Sequence, residues 1–141
     1  MKFNFIQATV SDRDYLLNLR KLTMVAHLHK AGLFLSEQDQ QNRVDDNYAC
    51  SHLVVYQEET IGTLKYKQSA SEVEIMQMQV HPDYQNQGFG KAILQQIIQS
   101  AHGKKVLLTV LKDNPALQLY LRLGFKVVGE DKHEYHMQLT V

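Results

Sequence analysis

The stretch from Glu72 to Ser100 constrains this chain most, because it reads as strand, glycine loop and helix in direct succession. Glu72-Val73-Glu74-Ile75-Met76-Gln77-Met78-Gln79-Val80 is a long run bounded by turn-forming residues, which suits extended backbone. Pro82, in His81-Pro82-Asp83-Tyr84, cannot continue a central ladder. Gln85-Asn86-Gln87-Gly88-Phe89-Gly90 follows. Ala92, Ile93, Leu94, Ile97, Ile98 and Ala101 then recur at helical spacing, with Gln95, Gln96, Gln99 and Ser100 on the opposite face. A helix start leaves backbone N–H groups without partners inside the helix, and the helix dipole makes that end positive. Glycines just ahead of it let the backbone approach a ligand with no Cβ in the way. The result is a site for phosphate. Only Lys91 follows the loop, which has no Lys or Arg of its own, so an anion there is held mainly by amides and the dipole.

Two phosphate-binding patterns fail here. A Walker loop needs Gly-x-x-x-x-Gly-Lys-Ser/Thr, and no such run occurs. A dinucleotide fingerprint needs a third glycine where Ile93 stands. What remains is Gln-x-x-Gly-x-Gly behind a strand ending Val-x-Pro. A plain strand-to-helix turn with incidental glycines has the same look.

The rest of the composition narrows the class. A length of 141 residues suits one domain with one core. Fifteen acidic and fifteen basic residues balance, which argues against a basic footprint for nucleic acid and against a polybasic membrane patch. No apolar run approaches the roughly 20 residues that span a bilayer, and the amino terminus lacks a signal-peptide apolar region. Cys50 is the one cysteine, so internal disulfides and multi-thiolate metal sites are excluded, and no sequence neighbour activates it. His27 and His29 point in different directions on a helix, and His133 and His136 fall on opposite faces of a regular strand. The expectation is a cytoplasmic protein with no metal and no nucleic-acid or membrane partner.

Along the chain, Phe3, Phe5 and Ile6 mark a first strand. Ser11 caps a helix whose stripe is Leu16, Leu19, Leu22 or Thr23, and Ala26, ended by Gly32. Ser36-Glu37-Gln38-Asp39 is a near capping box for a second, more polar helix reaching about Tyr48. Leu53–Tyr56 and Ile61–Tyr66 are strands with short connections into the organising strand, which favours antiparallel hairpins. After the helix, Gly103 gives a stop, and Val106–Leu111 is nearly continuous apolar sequence, as in a strand buried on both faces. Strand, helix, buried strand is a right-handed unit with parallel strands.

A second constellation follows. Asn114 fits a helix N-cap, Pro115 the first helical position and Gly124 the C-terminal cap, with Phe125 to pack back. These features suit any well-capped amphipathic helix, but none of them demands a tyrosine at 120. Phe125–Gly129 and His133–Val141 read as a closing hairpin. Gln85-x-x-Gly-x-Gly90, taken with Asn114-Pro-Ala-x-x-Leu-Tyr-Leu-x-Leu-Gly-Phe125, resembles the acyl-coenzyme A segments of the GNAT N-acetyltransferase superfamily, at the separation that fold requires. The resemblance spans the whole chain. It implies an α/β fold: a mixed central sheet of about six or seven strands, antiparallel in its N-terminal part, with a parallel splayed strand pair and about four flanking helices.

The resemblance also implies a chemistry. Acetyl-CoA lies between strands that part near Val80 and Leu111. Met78 and Val80 offer backbone groups to its pantetheine arm, as an added strand would. Gln85, Asn86, Gln87, Gly88, Phe89, Gly90 and Lys91 surround its pyrophosphate, while Asn114 and Tyr120 lie near the thioester. Tyr120 matches the family's acid and Glu74 is the candidate base, subject to whether a β-bulge turns Glu74 to another face. Arg20, Met24 and His27, at i, i+4 and i+7 of one helix face, are candidates to line the acceptor pocket; a solvated helix face has the same pattern. The function implied is acetyl transfer to a primary amine of a small molecule or peptide. A non-catalytic acyl-CoA-binding module is the alternative, and the charge balance disfavours a tRNA substrate. The apolar closing strand, with Met137, Leu139 and Val141 at the end of the chain, leads to the expectation of a homodimer through the last strands.

Overall fold

The computed structural model describes all 141 residues. Its strands are β1 (Asn4–Gln7), β2 (Ser51–Tyr56), β3 (Glu59–Gln68), β4 (Glu72–Val80), β5 (Lys105–Leu111), β6 (Lys126–Glu130) and β7 (Glu134–Thr140). Its helices are α1 (Arg13–Lys30), α2 (Glu37–Asp45), α3 (Phe89–Ser100) and α4 (Ala116–Arg122). All seven strands join one sheet in the order β1-β2-β3-β4-β5-β7-β6. Every neighbouring pair is antiparallel except β4 and β5, which are parallel. This is the mixed sheet, parallel pair and four helices expected from the sequence.

The two faces of the sheet carry unequal cores. On one, Ile93, Leu94 and Ile97 of α3 pack with Val73, Ile75, Val106 and Leu108 of the parallel pair. On the other, Leu16 and Leu17 of α1 and Val44 of α2 form a smaller cluster with Ala8. Val54 belongs to the first and Leu53 packs on the second, as neighbours in a strand must.

Local chemistry sets the helix ends. Ser36 Oγ accepts from the Asp39 N–H at 3.0 Å and Asp39 Oδ2 accepts from the Ser36 N–H at 3.1 Å, the capping box the sequence indicates for α2. Gly32 takes a left-handed φ of 80°, and the Leu33 N–H returns to the Leu28 carbonyl at 2.8 Å to close α1. Asn114 Oδ1 accepts from the Ala116 N–H at 2.9 Å at the start of α4.

Three expectations need correction. Ser11 does not cap α1; a 3-10 turn (Val10–Asp12) precedes the helix, and Asp12 Oδ2 accepts from the Thr9 N–H at 2.8 Å. The α1 stripe is rotated: Leu16, Leu17, Leu19 and Leu28 are buried and Leu22 is 61% exposed, while Arg20 sits on the inward face. The closing strand β7 has no free edge either, because β5 takes one side and β6 the other, leaving β6 at this edge of the sheet and β1 at the far one. No helix is long and apolar enough to cross a membrane.

Candidate active site

The site begins where two parallel strands stop pairing. β4 and β5 are in register only over Glu72–Ile75 and Lys105–Leu108. Along the opposite edge β4 stays paired with β3 as far as Val80, but with a slip: Lys65 faces Gln77 and Tyr66 faces Ile75, leaving Met76 as an extra residue. Such a bulge bends its strand, and this one lies where β4 leaves β5. The His81 N–H donates to the Ile61 carbonyl at 2.8 Å. Backbone groups alternate along an antiparallel ladder, so those of Met78 and Val80 turn away from β3 into the gap. The loop beyond already uses one of them, since Gln85 Nε2 donates to the Val80 carbonyl at 2.9 Å.

That loop leads into α3. Gly88 is the N-cap, left-handed at φ 80°, with no side chain capping the first turn. The first-turn amides of Phe89, Gly90 and Lys91 therefore lack intrahelical partners. Gln85, Asn86, Gln87 and Lys91 are exposed around them, and Gln87 Nε2 donates to the Asp83 carbonyl at 3.1 Å. Phe89 differs from the expectation that groups it with the open loop. Its ring is buried against Phe3, Tyr56 and Tyr84, with centroids 6.1, 5.2 and 5.9 Å away, so only its backbone is open to a ligand. Gly90 has ordinary helical placement, and a Cβ built there would meet nothing within 4 Å. Within the chain nothing requires its missing side chain, and a helical glycine costs about 0.5–1 kcal/mol against alanine.

A cleft of about 160 Å³ opens beside the gap. Its floor is Met76–Gln79 of β4 and Thr109–Leu111 of β5, with Asn114 and Tyr120 at the α4 end. Arg20, Met24 and Leu28 of α1 and Arg43 of α2 come from the helix layer. Tyr120 is held by the Phe125 N–H donating to its carbonyl at 3.1 Å and by the Phe125 ring, edge-on with centroids 5.9 Å apart. Burial pushes the Tyr120 phenol above its ordinary value of 10, so it carries its proton at neutral pH.

The structure thus brings Tyr120, Asn114, Met78, Arg20 and Met24 to one cleft, but not every sequence candidate. Glu74 does not line it: Glu74 lies in the paired part of β4, ahead of the bulge, with its carboxylate 3.5 Å from Lys67 Nζ. His27 does not line it either, although it shares a helix with Arg20 and Met24. Two charged residues passed over in the sequence do line it, Arg43 and Glu134. Glu134 opens β7 directly opposite Leu111. A register drawn for the closing hairpin against Val106–Leu111 would have put that carboxylate at the end of the gap.

Comparison with known proteins agrees with this geometry. The acetyltransferase (GNAT) domain family matches residues 49–127, more than half of the chain. The N-alpha-acetyltransferase RimI of Mycobacterium tuberculosis is 37% identical over 67 residues, which cover 47% of this chain and 42% of that protein. The match therefore spans less than half the length of that curated relative. Among solved structures, PaiA N-acetyltransferase from Thermoplasma acidophilum, in complex with coenzyme A, superposes with a TM-score of 0.71 at 17% identity, covering 100% of both chains. The ribosomal-protein-S18-alanine N-acetyltransferase of Escherichia coli gives 0.71 at 17% identity, covering 99% of this chain and 94% of that one. Arabidopsis thaliana Naa50, in complex with a bisubstrate analogue, CoA-Ac-MVNAL, gives 0.69 at 16%, covering 100% of both. At these identities the solved structures testify to the fold, and the family match carries the assignment: the chain belongs to the GNAT acetyltransferase family.

Proposed function

We propose that this protein is an enzyme that transfers the acetyl group of acetyl-CoA to a primary amine of a small molecule or peptide by direct attack. The observation that carries this reading is the parting of β4 from β5 beside an uncapped helix start, with Tyr120 in the resulting cleft. Solved relatives in complex with coenzyme A and with a CoA bisubstrate analogue support the choice of donor. The free surroundings of Gly90 fit a phosphate group lying where a Cβ would otherwise stand. In this reading the amides of Phe89, Gly90 and Lys91 hold the pyrophosphate, and the backbone of Met78 and Val80 pairs with the pantetheine arm as a strand would.

Acetyl-CoA supplies an activated acetyl thioester. The acceptor ammonium first loses a proton, and Glu134, the carboxylate in the cleft, takes it directly or through water. That role passes to Glu134 from Glu74, which lies outside the cleft. The amine nitrogen then bonds to the acetyl carbon, the C–S bond breaks, and the departing sulfur takes the Tyr120 proton. The products are the N-acetyl amine and free coenzyme A. The raised Tyr120 pKa, caused by burial, keeps the phenol protonated and hence able to donate.

A thiol-release screen with acetyl-CoA against amino acids, polyamines, aminoglycosides and peptides tests the reaction. Turnover of at least one amine is expected, with Tyr120→Phe falling roughly a hundredfold or more at little change in acetyl-CoA affinity. Wild-type turnover in that variant would reduce Tyr120 to a packing residue, and acetyl-CoA binding with no acceptor in any class would favour a non-catalytic module.

We also infer a homodimer, with the partner surface moved from β7 to the edge strand β6. Val127 and Val128 are exposed there, and the register slip between Val127 and Gly129 interrupts the ladder, so contact falls to side chains. Light scattering over a concentration series should give twice the chain mass; a monomer mass persisting into the high micromolar range would refute it.

A further inference from the structure

Arg20 is only 3% exposed. Its Nε donates to Gln40 Oε1 at 2.8 Å, which is the side chain's one hydrogen bond, and no carboxylate pairs with it. A guanidinium held this deep without a counter-charge carries a desolvation cost, eased only by the cleft that its terminal nitrogens reach. Its surroundings add to that cost: burial first, and the like charge of Arg43 second, draw its pKa from 12.5 down to about 10. A side chain needed only to join α1 to α2 through Gln40 would not require a cation. Nothing in the chain uses its two terminal nitrogens, and the residue lines the cleft.

The charges around that cleft are segregated. Arg20 and Arg43 enter from the helix layer, whereas Glu134 enters from the sheet and forms no ion pair. The apolar side chains of Met24, Leu28 and Leu33 complete the helix side. The other deeply buried cation is fully partnered: Lys65, 6% exposed, donates to the carbonyls of Arg43, Val44 and Asp46. The cleft places the opposite charges of its arginines and Glu134 on facing walls beside Tyr120, where an acceptor head carrying both charges fits.

We propose, on the reading that this enzyme transfers acetyl from acetyl-CoA, that its acceptor is a small amino-acid-like zwitterion. Arg20, with Arg43, binds its carboxylate, and its amine is presented toward Glu134 and Tyr120. A carboxylate satisfies the guanidinium's free nitrogens in the fork geometry that Arg favours. The same carboxylate neutralises a buried charge that the fold leaves uncompensated. An acceptor whose carboxyl is amidated leaves that charge unpaired, and sites built to pair a polar group discriminate strongly against its absence.

Initial rates of thiol release from acetyl-CoA, measured for α- and β-amino acids each beside its own carboxamide, test this. At least one acid should exceed its amide in kcat/KM by on the order of 10- to 100-fold. Arg20→Gln should bring that ratio close to one, chiefly through KM of the acid, and Arg43→Gln, at an exposed position, should lower it several-fold. If Arg20→Gln does not fold, the wild-type ratio and the Arg43→Gln ratio still decide. Amides turned over as fast as acids, peptides with amidated carboxyl ends preferred to both, no acid accepted at all, or a ratio unchanged in the variants would each overturn the proposal. An acetyl-CoA-induced rise in Tm with any of those results leaves the transfer reading standing; no rise removes both.

Discussion

The two edges of β4 are built on opposite rules. Toward β3 everything is closed. A Cβ on Gly62 would stand 2.1 Å from the Gln79 carbonyl oxygen, so glycine is demanded by the neighbouring backbone. Thr63 Oγ1 donates to Gln79 Oε1 at 3.0 Å across the same seam. Lys65, 6% exposed, gives its ammonium to the carbonyls of Arg43, Val44 and Asp46 at 3.0, 3.2 and 2.6 Å. Those lie at the end of α2, where helix carbonyls lack partners and a cation suits the dipole. Toward β5, beyond the paired stretch that ends at Ile75, the edge is left open, and around that gap Gly90 has no neighbour at its Cβ position and Arg20 has one hydrogen bond. A glycine hemmed in by backbone and a cation with all its donors used belong to the fold. A glycine in free space and a buried cation short of partners point to a ligand.

Breaking the closed edge should cost stability. Gly62→Ala forces backbone against backbone, and the expected loss is about 3 kcal/mol in urea unfolding, because neither strand of a central seam can yield. A loss below about 1 kcal/mol would show that the seam opens easily and that the contrast between the edges is false. Lys65→Met keeps most of the stem but strands three carbonyls at the end of α2. The expected loss is smaller, about 2 kcal/mol, with the acetyl-CoA-induced rise in Tm retained. Loss of that rise with stability intact would move Lys65 from the fold to the ligand site.

Most of the closed architecture was legible from short-range signals. The Ser36/Asp39 box, Gly32, Gly88, Asn114–Pro115 and Gly124 are local instructions, and each end formed close to where it was read. The misreadings arise where tertiary packing decides. Periodicity along α1 favours Leu22 over Arg20, because hydrophobicity stands in for burial; next to a cleft the inward face takes a charge. Glu74 is a candidate base only if β4 runs regularly, but the extra residue at Met76 sets where β4 leaves β5, and no sequence signal marks that bulge. Glu134 and Arg43 reach the cleft from elements far apart in the chain, so spacing alone could not join them to Tyr120.

The central claim is that the open edge of β4 and the start of α3 hold acetyl-CoA. Thermal unfolding of the wild type and Gly90→Val, with and without millimolar acetyl-CoA, tests it most directly. Because a Cβ at 90 meets nothing within 4 Å and valine is no poorer a helix former than glycine, the two proteins should unfold at nearly the same temperature without ligand. Acetyl-CoA should then stabilise the wild type by about 2.7 kcal/mol at a hundred times its Kd, a rise of several degrees, and leave Gly90→Val unmoved. No rise in the wild type, or an equal rise in the variant, would contradict the account.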